Sequence, residues 1–93
     1  MELENLKTAK QARELHDAVE KITVTGEAGG GFVRVTVNGI SQILRIDYED
    51  NPFITQDLKM YNDLIIMAFN VATEKIREKV VDFVAKYTPS EDD

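Results

Sequence analysis

The sequence contains no cysteine and no tryptophan, a single histidine, two prolines and two serines. Without cysteine there is no disulfide framework and no thiolate chemistry, which fits a reducing compartment. His16 stands between Leu15 and Asp17 with no H-E-x-x-H pattern around it, so no metal site is expected. Ser41 falls in a strand and Ser90 near the end of the chain, and neither has a base at nucleophile spacing. Asp47, Glu49 and Asp50 cluster without the D-x-D-x-D-G pattern of a calcium loop. No enzyme and no cofactor is expected. Long apolar runs are also missing. The longest, Leu64–Phe69, is far too short to span a bilayer, and no secretory segment follows Met1. The expectation is a cytoplasmic protein with neither a membrane nor a small-molecule substrate as partner.

What is present is ordinary globular material, 43% hydrophobic and 30% charged, in 93 residues that suffice for one domain. That domain is read as residues 1–88, with 89–93 as a disordered acidic tail. The net charge of −6 opposes a general attraction to nucleic acid. The acids are concentrated, however. Five of them, Asp47, Glu49, Asp50, Asp57 and Asp63, face only Lys59 between residues 47 and 63, and Glu91, Asp92 and Asp93 close the tail. With both segments set aside, 9 acidic and 10 basic residues remain. A locally basic surface is compatible with that remainder.

Residues 22–48 read as three short strands of one antiparallel sheet, crowded with β-branched residues and broken at Gly26–Gly31 and Asn38–Gly39. Asn-Gly between alternating runs predicts a type I′ turn with positive φ at both residues. That turn pairs Val37 with Ile40, Val35 with Gln42 and Val33 with Leu44 on a buried face that Ile46 and Tyr48 continue. Phe32, Arg34, Thr36, Ser41, Ile43 and Arg45 fall on the other face. The glycines do not make a phosphate loop. Gly31 is followed by Phe32 and Val33 rather than Lys-Ser/Thr, and it opens a strand rather than a helix. A flexible hairpin loop is expected there.

A first helix is expected from about Glu2 to Lys21, with its seam at Ala12, Leu15, Val19 and Ile22 and its N-terminal half projecting as an arm. Leu3 and Leu6 lie on another side of that arm. Residues 49–56 form a linker, with Thr55 or Asp57 as the cap of the next helix. That helix is expected from Asp57 to Tyr87, ended by Pro89. Its main stripe is Leu58, Tyr61, Ile65, Ala68, Phe69, Ala72, Ile76, Phe83 and Tyr87. A second stripe, Met60, Leu64, Met67 and Val71, lies roughly 100° away. A helix apolar on two sides is buried on two sides, so the second stripe is read as a homodimer interface, or else as the seat of the first helix. Lys75, Lys79 and Lys86 share a side beyond Ile76, either as a second arm or as an ordinary solvated face.

Val24-Thr25-Gly26-Glu27 with Gly29 and Gly31, Val35-Thr36-Val37-Asn38-Gly39, and Asp63-Leu64 with Ala68-Phe69-Asn70 and Ala72 together resemble the YbaB/EbfC family of bacterial nucleoid-associated proteins. The resemblance covers roughly residues 10–80. It implies a tweezer-shaped homodimer with helical arms, located at the bacterial nucleoid and binding double-stranded DNA with loose sequence preference. The chain departs from the family pattern in a short N-terminal arm and in the ending Ser90-Glu91-Asp92-Asp93.

The expected fold is thus α+β: an N-terminal helix, a three-stranded antiparallel sheet and a long C-terminal helix. The expected function is a DNA-binding homodimer that contacts phosphates through Lys7, Lys10, Arg13, Lys75, Lys79 and Lys86. The alternative is a dimeric protein-interaction module, with the arm leucines and Phe83 or Tyr87 lining a hydrophobic cleft.

Overall fold

The structure is a computed structural model, and it describes residues 8–88. Helix α1 (Ala9–Glu20) is followed by strands β1 (Thr23–Ala28), β2 (Val33–Asn38) and β3 (Ile43–Tyr48), a short helix α2 (Pro52–Thr55) and the long helix α3 (Leu58–Lys86). The strands form one antiparallel sheet in the order β1-β2-β3. The α+β architecture is the one expected from the sequence. Helix α1 starts on a cap from Thr8, whose hydroxyl accepts from the Gln11 N–H, and the expected turns at residues 2–7 lie outside the described residues. Helix α3 starts on Asp57, whose carboxylate accepts from the Met60 N–H.

The alternation in VRVTVN does what its period dictates. Val33, Val35 and Val37 point to one face of the sheet and are buried, while Arg34 and Thr36 point to the other. Helix α3 lies across β1 and β2 and buries Ala68, Ala72 and Ile76 against those valines, with Ala28 and Phe32. Phe32 is therefore a core residue, not one of the outer face. It sits in the turn ahead of β2, where strand alternation does not govern its direction. The outer face is polar, with the hydroxyls of Thr25 and Thr36 hydrogen-bonded at 3.0 Å.

Strand β1 does not break at Gly26, as expected, but runs through it to Ala28. A Cβ on Gly26 would lie 2.3 Å from the Ala68 carbonyl oxygen and 2.4 Å from the Ala72 nitrogen. The glycine is there so that strand and helix backbones can touch. The loop glycines are Gly29, Gly30 and Gly31, all with positive φ.

The second hairpin also differs from expectation. Asn38 and Gly39 do not have positive φ; Ser41 does, at 63°. The Ser41 N–H donates to the Asn38 carbonyl and the Asn38 N–H to the Gln42 carbonyl, which defines a three-residue loop closed by a left-handed residue. The Asn38 side chain stabilises this loop in place of a type I′ turn: its Oδ1 accepts from the Ile40 and Gln42 N–H groups, and its Nδ2 donates to Gln42. The register is accordingly Val33 with Tyr48, Val35 with Ile46 and, past a bulge, Val37 with Ile43. Ile43 thus joins the apolar face, and the expected pairs Val37–Ile40, Val35–Gln42 and Val33–Leu44 do not form. Gly39 serves a close approach, since a Cβ there would fall 2.0 Å from the Val19 carbonyl oxygen of α1.

Candidate nucleic-acid interface

The molecule is long rather than round, 58 × 17 × 16 Å with a Cα radius of gyration of 17.1 Å. A compact chain of this length would have a radius of about 12 Å. The excess length is the arm. Ile76 is the last α3 residue in the core of the sheet, and beyond it Val84 packs with Leu15 and Val19 of α1 in a second, smaller cluster flanked by Val80, Phe83 and Tyr87. The C-terminal half of α1 therefore docks on the end of α3, not on the sheet core. Ala12 of the expected seam is exposed, and Ile22, just past the helix, is half-buried.

Four of the candidate DNA contacts stand along this arm or its base. Lys10 and Arg13 are exposed on α1, and Lys79 and Lys86 are exposed on α3. Lys86 pairs with Asp82 at 3.3 Å, and Lys79 has no ion-pair or hydrogen-bond partner among the described residues. Lys75 is placed differently. Its Nζ donates to the Thr25 carbonyl at 2.9 Å, so it ties α3 to β1. Lys7, Leu3 and Leu6 lie outside the described residues. Arg77 is a further exposed cation on α3 that the sequence reading left out. Glu74 and Glu78 lie close to it in sequence, yet no partner for it occurs among the described residues.

The second stripe of α3 is exposed at Met60, Met67 and Val71, at 45%, 55% and 39%. Leu64 is half-buried instead, packed on the core and facing Gly29, so it has a partner within the chain. Leu58, expected in the main stripe, is 70% exposed because the first turn of α3 begins before the helix reaches the sheet. Strand β3 is a surface that sequence reasoning missed. Ile43, Leu44, Ile46 and Tyr48 are all substantially exposed, because α3 covers β1 and β2 and meets β3 chiefly through Tyr61 against Tyr48, 5.4 Å between ring centres. An apolar edge strand left open in this way is a ready template for pairing.

His16 does not stand alone as expected. Its Nδ1 lies 3.5 Å from an Asp17 carboxylate oxygen and 3.9 Å from one of Glu20, all three side chains exposed on α1. No helix among the described residues is long and apolar enough to cross a membrane.

The described residues thus form an α+β domain from which a helical arm extends. The family profile described as the YbaB/EbfC DNA-binding family matches residues 3–91. The chain belongs to that family. It is 36% identical over 74 residues to a nucleoid-associated protein of Chlorobium phaeobacteroides, and 36% identical over 63 residues to one of Lysinibacillus sphaericus. The matched stretches cover 80% and 68% of this chain, and 65% and 61% of those relatives, so the chain spans less than two thirds of their length. The fold is shared with the crystal structure of an uncharacterised protein from Helicobacter pylori, at a TM-score of 0.64 and 19% identity over 83% of this chain and 89% of that one.

Proposed function

We propose that the protein is a nucleoid-associated homodimer that binds double-stranded DNA, chiefly through phosphates and with little sequence preference. The observation that carries this is the family match along nearly the whole chain, joined to relatives named as nucleoid-associated proteins. The arm adds the chemistry. Lys79, Lys86 and Arg77 on α3, with Lys10 and Arg13 on α1, are exposed cations on helix surfaces, which suit phosphate contact better than base readout. Lys7 belongs to the same proposed set. Lys75 joins it only by releasing Thr25. No catalytic role is assigned, and the reading places the protein at the nucleoid of a bacterial cell.

The dimer is proposed on two exposed apolar surfaces. One is the α3 stripe of Met60, Met67 and Val71 with Leu64 at its inner edge, and the other is the open strand β3. Either surface would be unusual on a monomer of this size. Sedimentation should show a dimer at micromolar concentration.

The test of DNA binding is a gel shift across a salt series. Binding should be weak, similar for unrelated sequences, and steeply salt-dependent, with log K falling by about 0.9 per phosphate neutralised. If the three α3 cations of each of two subunits make the contacts, the slope should be about −5. Absence of any shift at low salt from an intact dimer would refute the reading.

A further inference from the structure

Where α3 leaves the sheet, an open cleft of about 470 Å³ is lined by Ile22, Lys79, Asp82, Phe83, Lys86 and Tyr87, with Thr88 at its end. Its walls are mainly apolar, and its aromatic side is the Phe83–Tyr87 pair, with ring centres 5.6 Å apart and planes tilted by 42°. Both rings are half-buried against the small cluster of Leu15, Val19 and Val84, so they are held in place yet still reach the cleft. The charged groups stand along the same helix on either side of Phe83. Lys79 is unpartnered among the described residues, and Lys86 is held only by an exposed and therefore weak pair with Asp82.

We propose that this cleft is a site for unpaired nucleic-acid bases. Phe83 and Tyr87 supply the stacking surface, and Lys79 and Lys86 hold the flanking phosphates. The inference rests on the reading that the arm binds nucleic acid and adds a specificity to it. In a duplex the flat faces of the bases are already stacked on one another. Only a single-stranded stretch can present a base face to an aromatic ring, and alternating aromatics and cations are what such strands require. The occupant is a nucleic acid rather than an apolar protein segment because three of the seven lining residues are charged. Lys79, Asp82 and Lys86 interrupt any continuous apolar strip on which a partner helix would lie.

The chain has no tryptophan and three tyrosines, so its emission reports directly on tyrosine. Tyr48 and Tyr61 are engaged with each other beside the sheet, leaving Tyr87 as the reporter on the arm. A 12-nucleotide oligo(dT) is titrated into the full chain at low salt, beside a 12-base-pair duplex, with Phe83→Leu, Tyr87→Phe and Lys79→Gln as variants. Leucine at 83 keeps the apolar packing of the arm, and thermal melts check each variant. Stacking on Tyr87 should quench tyrosine emission by up to roughly a third, one residue in three, and Tyr87→Phe should abolish the quench while leaving the affinity within about twofold. Phe83→Leu should weaken oligo(dT) binding by about 5- to 100-fold and leave duplex binding within about twofold. Lys79→Gln should weaken both. A quench that survives Tyr87→Phe, or a Phe83→Leu effect equal on oligo(dT) and duplex, overturns the inference alone. Failure of both probes to bind at low salt overturns it together with the DNA reading.

Discussion

Replacing Gly26 by alanine adds one methyl group where there is no room for it. The new Cβ would sit 2.3 Å from the Ala68 oxygen, 2.4 Å from the Ala72 nitrogen and 2.9 Å from the Ala72 Cα, all backbone atoms of α3. No rotamer relieves a backbone contact, so strand and helix must separate by about 1 Å to regain ordinary van der Waals spacing. A gap of that size forfeits a quarter to a half of each contact energy along the seam, and the seam is Ala68, Ala72 and Ile76 on Val33 and Val35, the centre of the core. Against this, alanine stiffens the unfolded chain and returns about 0.4–1 kcal/mol. The net loss should be about 2–4 kcal/mol, a drop of roughly 10–25 °C in Tm for a domain of this size. Thermal and urea unfolding followed by circular dichroism measure it. Gly30→Ala is the control: nothing lies within 4 Å of its Cβ, and only its φ of +67° opposes the change, at a cost of about 1 kcal/mol. If Gly26→Ala unfolds within 0.5 kcal/mol (about 3 °C) of the parent protein, the close approach of β1 and α3 is not what that position requires.

Gly39→Val should cost about 2–4 kcal/mol through the collision with the Val19 carbonyl, and it should loosen α1 first. Faster amide exchange in α1 than in the sheet would mark that order, whereas uniform loss would point to backbone strain in the turn instead. Ser41→Gly should stabilise the protein by about 0.5–1 kcal/mol, since Ser41 alone among the described non-glycine residues holds a positive φ. A lower melting temperature for that variant would contradict the assigned loop.

The strands of the sheet, the long helix and its buried face were legible because their periods of 2 and 3.6 survive in the positions of valine, alanine and isoleucine. Where the reading went wrong, the residue type was right and its reason was not. Asn38-Gly39 carries the pattern of a two-residue turn, but the asparagine works by hydrogen bonds from its side chain and the glycine by letting α1 approach. The glycine's reason depends on a helix that is distant in sequence from the turn. Gly26 misled in the same way: a strand glycine that admits a helix looks, in one dimension, like a loop glycine. The candidate site was partly legible. Periodicity placed Lys79 and Lys86 together on a helix face, but no local pattern could show that Lys75 reaches a strand carbonyl 50 residues away in sequence, or that β3 is left uncovered.

An acidic protein that is to bind DNA must keep its acids away from the DNA, and the long axis allows this. Asp57 and Lys79 are 22 residues apart on one helix, a separation of about 33 Å, several times the Debye length of about 8–10 Å at physiological salt. The acids of the linker therefore cannot cancel the field at the arm. The arm itself carries no net charge over the residues that face one another there. Past Ile76, Arg77, Lys79 and Lys86 face Glu78 and Asp82, and along α1 Lys10 and Arg13 face Glu14, Asp17 and Glu20. One such arm offers too little charge to hold a duplex, and the DNA reading works only if two arms engage the same molecule, so that the second contact becomes intramolecular. DNA binding should then depend on a residue remote from the arm. Met67→Lys, at an exposed position on the sheet half of α3, adds a positive charge and would by itself favour DNA slightly. If it breaks the dimer, apparent DNA affinity should instead fall by a factor of about 10² or more, while a chemically crosslinked dimer of the parent protein retains it. A monomeric Met67→Lys variant that shifts DNA as well as the parent would show that one arm suffices and that the two-arm account is wrong.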